Sequence, residues 1–130
     1  MDVLIDTQVL VWLVTDDPKL GELAKQVLVD TRNAVSISYF SFFEMTIKAS
    51  VGKLSWDTSL INDLPSMGIE LIMPDTKALQ GYAILGPTNR DPFDNMIMSV
   101  ARSRNFVLMT SDPKILSISS SGFSTIDACK

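Results

Sequence analysis

The feature that most constrains this chain is an alternation of two kinds of segment along its length. Five short runs, residues 3–5, 34–38, 69–73, 107–110 and 123–126, are mostly apolar or β-branched and are bounded by turn or capping residues, as buried strands are. Between them lie stretches with helical spacing. Leu20, Leu23, Ala24, Val27 and Leu28 recur at i, i+3, i+4, i+7 and i+8 and predict one apolar helix face, with Asp17 as N-cap and Pro18 in the first turn. Residues 41–51, 58–67, 76–85 and 93–104 predict further helices. Strands joined by helices of this length imply βαβ crossovers, and so an α/β three-layer sandwich with a central, mostly parallel sheet flanked by helices. At 130 residues, with no linker or repeat and only a short serine-rich stretch at 117–121, one domain spanning 1–130 is expected. No apolar run reaches the roughly 18 residues that a membrane span needs. The opening Met1-Asp2-Val3-Leu4-Ile5-Asp6 has no basic region before its apolar stretch and reads as a strand, not a signal peptide.

A parallel sheet carries the carboxyl ends of its strands along one edge, and sites form there. Acids occupy that edge. Asp6 follows the first run, Glu44 is expected in the first turn of the helix after the second, Asp94 starts the helix that leads to the fourth, and Asp112 follows the fourth. Carboxylates brought together repel and raise each other's pKa, so a site that tolerates them is expected to hold a cation. Histidine is absent. That excludes His-based acid–base catalysis, Ser-His-Asp and Cys-His triads and the usual zinc sites. Oxygen ligands select a hard ion, Mg²⁺ or Mn²⁺. The net charge of −4 argues against a basic nucleic-acid-binding face, but a bound divalent ion would supply positive charge where a phosphate sits. The single Cys129 cannot pair within the chain and points to a reducing cytoplasm. An apolar fraction of 46% implies a well-filled interior and a surface that a partner covers.

Each acid also has a plainer explanation. Ser41-Phe42-Phe43-Glu44 fits a capping box. Asp91-Pro92 and Asp112-Pro113 look like N-caps followed by first-turn prolines, with Asp94 at the third helical position. Asp75 reads as a cap alone. The residues by themselves leave capping and metal binding both open.

At the same residues the sequence resembles the PIN-domain ribonucleases, most closely the VapC-type toxins of toxin–antitoxin pairs. Leu4-Ile5-Asp6-Thr7-Gln8-Val9-Leu10-Val11-Trp12-Leu13 is similar to the family's opening strand and helix, with its first metal-binding Asp at Asp6. The segment ending Phe43-Glu44-Met45-Thr46-Ile47-Lys48, followed by Gly52-Lys53-Leu54, is similar to the helix that carries the second acid. Arg90-Asp91-Pro92-Phe93-Asp94 resembles a D-P-F-D segment, and Leu108-Met109-Thr110-Ser111-Asp112 resembles the T-x-D segment that ends the acidic set. The four motifs stand in family order from residue 1 to about 127. Asn89 and Gln8 replace histidines common in relatives, and Phe43 replaces a tryptophan; neither of those histidines belongs to the metal set.

The resemblance implies metal-dependent hydrolysis of RNA phosphodiester bonds at Asp6, Glu44, Asp94 and Asp112. Asp6 and Asp94 are the first expected ligands, directly or through water, and Asp112 completes the shell. Glu44 is expected to bind through water or to act as base. Thr110 is a supporting residue that would hydrogen-bond to a carboxylate or a metal-bound water. Lys48, one helical turn after Glu44, is a second supporting residue, expected to form an i,i+4 ion pair with it, with steadying of the carboxylate or contact with phosphate as the alternatives. Arg90, Arg102 and Arg104 are candidates to meet RNA backbone, and Trp12 and Trp56 to stack on bases, although Trp12 sits in an apolar helix that favours packing. The resemblance further implies a cognate antitoxin that occludes the cleft, and a homodimer. Two rivals remain. One is a catalytically silent binding domain that keeps the fold and uses its acids as caps. The other is an acid-based phosphohydrolase with Asp6 as nucleophile, which Gln8 disfavours because such enzymes often carry a second Asp at that position.

Overall fold

The computed structural model describes residues 1–55, 57–85, 90–118 and 122–130. Trp56, Asn89 and residues 119–121 of the serine-rich stretch lie outside them. The five runs form the strands β1 (Asp2–Ile5), β2 (Ala34–Ser38), β3 (Ile69–Ile72), β4 (Val107–Thr110) and β5 (Ser124–Asp127). They make one sheet in the order β3-β2-β1-β4-β5, with every neighbouring pair parallel. Ile5 pairs with Ile37 on one side and with Met109 on the other, so β1 ends one residue before β2 and β4. The Asp6 N–H extends the ladder by donating to the Met109 carbonyl at 3.1 Å.

Strand alternation builds the layers. Val3, Ile5, Val35, Ile37 and Met109 point to one face, where helices α1 (Thr7–Val14) and α2 (Glu22–Val29) cover them with Val9, Leu10, Trp12 and Ala24. Leu4 and Leu108 point to the other face, onto α4 (Thr76–Leu85), α5 (Pro92–Arg104) and α6 (Pro113–Ser117). Helix α5 buries a continuous run from Asn95 to Ala101 and is the central helix of that layer. Helix α3 (Tyr39–Ser50) follows β2 and sends Phe42 into the first of these cores. The three-layer sandwich is the expected one. Trp12 is core, which removes it as a base-stacking surface. Among the described residues no helix is long and apolar enough to cross a membrane.

Several boundaries differ from the sequence expectation. Asp17 does not cap α2; its Oδ1 accepts the Lys19 N–H at 2.9 Å in a separate turn. Helix α2 starts four residues later than expected, at Glu22, and Leu23 faces solvent, 62% exposed, instead of joining the apolar face. Ser41 and Glu44 form no capping box. Ser38, the last residue of β2, caps α3 by accepting the Phe40 N–H at 3.1 Å, and this moves Glu44 into the second turn. Residues 58–67 form two 3₁₀ turns, Thr58–Asp63 and Pro65–Met67, and not one α-helix. Pro65 has no N–H to continue a helix, and Gly68, at φ 70°, reverses the chain into β3. Strand β3 ends at Ile72, one residue early, and β5 is shifted one residue on.

The start of α2 explains its unusual cap. Gly21 has no side chain to cap with, and the C-terminal residues supply the acceptors instead. The Gly21 N–H donates to the Ala128 carbonyl at 2.9 Å and the Leu23 N–H to that of Lys130 at 2.8 Å. A Cβ at position 21 would stand 2.3 Å from the Lys130 carbonyl carbon and 2.6 Å from that of Cys129. Backbone cannot swing aside as a flexible side chain can. Gly21→Ala is therefore expected to destabilise the fold by about 1–3 kcal/mol, read as a lower urea midpoint at unchanged slope. An unchanged midpoint would show that this terminal clamp is loose.

Candidate active site

The strand order reverses between β1 and β4, and in an open parallel sheet the crevice outside the strand carboxyl ends at such a point is where ligands bind. Asp6 leaves β1 directly into that crevice. It is the N-cap of α1, accepting the Val9 N–H on Oδ1 at 2.9 Å, and it is only 9% exposed. Its other oxygen, Oδ2, accepts the hydroxyl of Thr110, fully buried at the end of β4. The same hydroxyl accepts the Asp112 N–H at 3.1 Å. One threonine thus fixes the acids that follow two adjacent strands. Asp112 caps α6 through Oδ1 and the Lys114 N–H at 2.9 Å. Asp91 caps α5, accepting from the Phe93 N–H at 2.9 Å and the Asp94 N–H at 3.1 Å, which leaves Asp94 in the first helical turn.

Glu44 arrives from α3. Its Oε1 accepts the Thr7 hydroxyl at 3.3 Å, across 37 residues of chain, and its Oε2 pairs with Lys48 Nζ at 3.4 Å. The Glu44 side chain is 12% exposed and that of Lys48 50%. An i,i+4 pair of this exposure is worth about 0.3–0.5 kcal/mol, so its effect is mainly on where the carboxylate sits. The structure brings Asp6, Glu44, Asp94, Asp112 and Lys48 together around one cleft of about 290 Å³, with Asp91 as a fifth carboxylate. Thr110 lies beneath it.

The electrostatics follow from that crowding. Asp94 is pushed up to about 7, first by burial and then by repulsion from Asp91, Asp112, Glu44 and Asp6. Asp6 is also raised, chiefly by burial, against hydrogen bonds from Thr110 and Val9 that favour its charged form. Among the described residues no group of three or more acids is drawn together tightly enough to hold an ion as the side chains stand. Unscreened carboxylates repel, and protein donors hold those of Asp6, Glu44, Asp91 and Asp112. The donor set nevertheless fits a hard divalent cation. It is all oxygen, and it carries the repulsion that a cation relieves.

A larger groove, about 620 Å³, lies beside α3 between Tyr39, Phe43 and Ile61. Among the described residues its lining holds one acid, Asp57, beside the neutral polar side chains of Tyr39, Thr46, Thr58, Ser59 and Asn62, and no second carboxylate. The smaller cleft, where the acids converge, is the candidate site. Asp75 caps α4 through the Ala78 N–H at 2.8 Å and stands outside the cleft. Arg90, Arg102 and Arg104 do not line it either. Arg104 reaches Asp75 at 3.9 Å instead. Sequence reasoning missed Thr7, Asp91 as more than a cap, and Ser111, which also lines the cleft. Thr7 and Ser111 each adjoin a proposed acid, and this was the one available signal.

Comparisons with known proteins bear on the family and the fold. Residues 3–120 match the family model described as the PIN domain. No curated protein matches the sequence. Solved structures do match in fold. A chain of VapBC2 from Rickettsia felis, bound to a DNA fragment from their promoter, is 20% identical with a TM-score of 0.73, covering 98% of each chain. VapBC-1 from nontypeable Haemophilus influenzae is 20% identical with a TM-score of 0.73 over 100% of both chains. DNA-bound VapBC from Salmonella typhimurium is 21% identical with a TM-score of 0.72 over 99% of both. A family model that spans nearly the whole chain, on a sheet whose order and acid-lined edge suit it, leaves one conclusion: this chain belongs to the PIN domain family.

Proposed function

We propose that this chain is a metal-dependent endoribonuclease and the toxin of a toxin–antitoxin pair. The observation that carries the reading is the convergence of five carboxylates at the sheet's switch point, where burial first and their mutual repulsion second push Asp94 up to about 7. Capping alone accounts for Asp6, Asp91 and Asp112. It does not account for Glu44, which caps nothing and is brought in from another helix. That is the feature that a silent binding domain leaves unexplained.

In this reading Asp6, Asp94 and Asp112 hold Mg²⁺ or Mn²⁺. When bound, such an ion polarises a phosphate and lowers the pKa of a water. Thr110 fixes the Asp6 carboxylate and the Asp112 backbone so that both acids face the same point. Glu44, held by the Thr7 hydroxyl, takes the proton of the attacking water. With no histidine in the chain the base is a carboxylate, and Glu44 is the acid of the cleft that neither caps a helix nor is assigned to the metal. The partner reading rests on two supports. Similar structures are toxin–antitoxin complexes, and Tyr39, Phe43 and Ile47 form an exposed apolar stripe along α3, at 40–49% exposure, that suits a covering antitoxin or a second copy of the chain.

The test is cleavage of labelled RNA by the partner-free protein in Mg²⁺, in Mn²⁺ and in EDTA. Cutting that EDTA abolishes and either ion restores is expected. Cutting indifferent to EDTA would contradict the metal centre. No cutting of any RNA in either ion would contradict the nuclease and favour the silent binding domain.

A further inference from the structure

Lys48 is the one cationic side chain that lines the carboxylate cleft among the described residues. Three other cations are paired elsewhere: Arg104 with Asp75, Arg32 with Asp30 and Lys25 with Glu22. The Lys48 ammonium sits 3.4 Å from Glu44 Oε2, yet half of the Lys48 side chain is exposed while Glu44 is nearly covered. The lysine therefore stands at the rim of the cleft, on the side open to solvent. Glu44 does not depend on it alone, because Thr7 holds the other oxygen.

An RNA strand brings one negative charge per nucleotide to a cleft already lined by five carboxylates. One divalent ion leaves that lining in excess, so the phosphodiester needs a further positive group. A flexible ammonium at the rim supplies one at little cost, since an exposed i,i+4 ion pair adds little to folding. We propose that Lys48 is a phosphate-binding residue: its ammonium passes from Glu44 Oε2 to a phosphate oxygen of an entering RNA single strand, while Thr7 keeps Glu44 in place. This inference rests on the ribonuclease reading above. It makes Lys48 a substrate contact and not merely a surface ion pair.

The test is binding of a fluorescent, unstructured RNA oligonucleotide to the full chain, read by anisotropy from 50 to 300 mM salt. Ca²⁺ replaces the catalytic ion, and intact RNA is verified on a gel. Wild type is set beside Lys48→Met, Lys48→Gln and Lys48→Arg. Loss of one phosphate contact on a single strand lowers the slope of log affinity against log salt by about 0.7. Both neutral variants are expected to show that loss of slope and a roughly 3–10-fold weaker affinity, while Lys48→Arg retains the slope. A Mn²⁺ titration followed by melting temperature checks the metal site separately. Its midpoint is expected to move no higher than wild type in the neutral variants, because removing a competing cation does not weaken metal binding. Wild-type binding with an unchanged slope in both neutral variants overturns the inference alone, as does an unchanged slope joined to a weaker metal midpoint, which would mark a lysine that only steadies Glu44. Failure of the wild type to bind RNA overturns the ribonuclease reading, and this inference with it.

Discussion

Asp6→Asn is expected to lower metal-dependent RNA cleavage by about 10³-fold or more, with the fold intact. The amide keeps one oxygen, so the N-cap to Val9 survives when that oxygen takes the Oδ1 place. The substitution removes the negative charge at the carboxyl end of β1 and places an NH₂ group opposite the Thr110 hydroxyl, which can turn to accept from it. What is lost is a metal ligand, and with it the several kcal/mol of charge stabilisation that a divalent ion supplies to phosphoryl transfer. At 1.36 kcal/mol per tenfold, about 4 kcal/mol is a thousandfold. Single-turnover cleavage at saturating Mn²⁺, alongside circular dichroism, is the measurement. Wild-type rates in the variant would mean that Asp6 is a cap and nothing more. A collapsed spectrum would show instead that the buried carboxylate is needed for folding.

Asp94→Asn is expected to act in opposite directions on stability and on metal binding. In the metal-free protein Asp94 holds its proton up to about 7, whereas in the unfolded chain it loses it near 3.8. The folded state therefore binds the proton more tightly. Asp94's favourable contribution is fully present below pH ~4 and is lost as pH rises through about 7. Asp6, also raised, adds to the loss with the same sign. Allowing for solvent screening at a cleft open to water, the loss from Asp94 between pH 4 and 8 is on the order of 2 kcal/mol. A divalent ion reverses it by taking the proton's place, so metal affinity rises with pH up to about 7 and then levels. Asn carries no charge at any of these pH values. The variant is expected to be more stable than wild type at pH 8 without metal, to show a flatter stability profile, and to gain less from Mn²⁺. Melting curves at pH 4.5, 6, 7 and 8, with and without Mn²⁺, read all three. A wild-type protein whose metal-free stability does not fall across this range would contradict the crowding on which the site reading rests.

The fold was largely legible because strands buried on both faces leave little freedom. Runs such as Val107-Leu108-Met109-Thr110 have no polar face to mislead the period. The acids were legible for the same reason, since each stands within a few residues of a recognisable strand or helix start. The errors arise where a local pattern has two structural uses. Ser41-Phe42-Phe43-Glu44 spells a capping box, but Ser38 at the end of β2 takes the cap first, and Ser41 is swallowed into the helix as a fully buried residue. Asp17-Pro18 spells a helix start, but the acceptors for α2 come from residues 128 and 130, which no local window contains. Asp91 shows the limit most clearly. The sequence identifies its cap, and the cap exists. Its second position, in the cleft beside Asp94, follows from where α5 lies on the sheet, which is a tertiary fact. Thr7 belongs to the same class, since its partner Glu44 is reached only once α1 and α3 are side by side.

The most direct measurement on the carboxylate centre is the anomalous scattering of Mn²⁺ in a crystal of the wild-type protein grown near pH 7.5. A metal centre at the switch point predicts a peak within coordination distance of oxygens of Asp6, Asp94 and Asp112, absent in Asp94→Asn crystals treated identically. No peak in the cleft at saturating Mn²⁺, or a peak only at surface acids such as Asp30 or Asp75, would contradict it and return these residues to the role of helix caps.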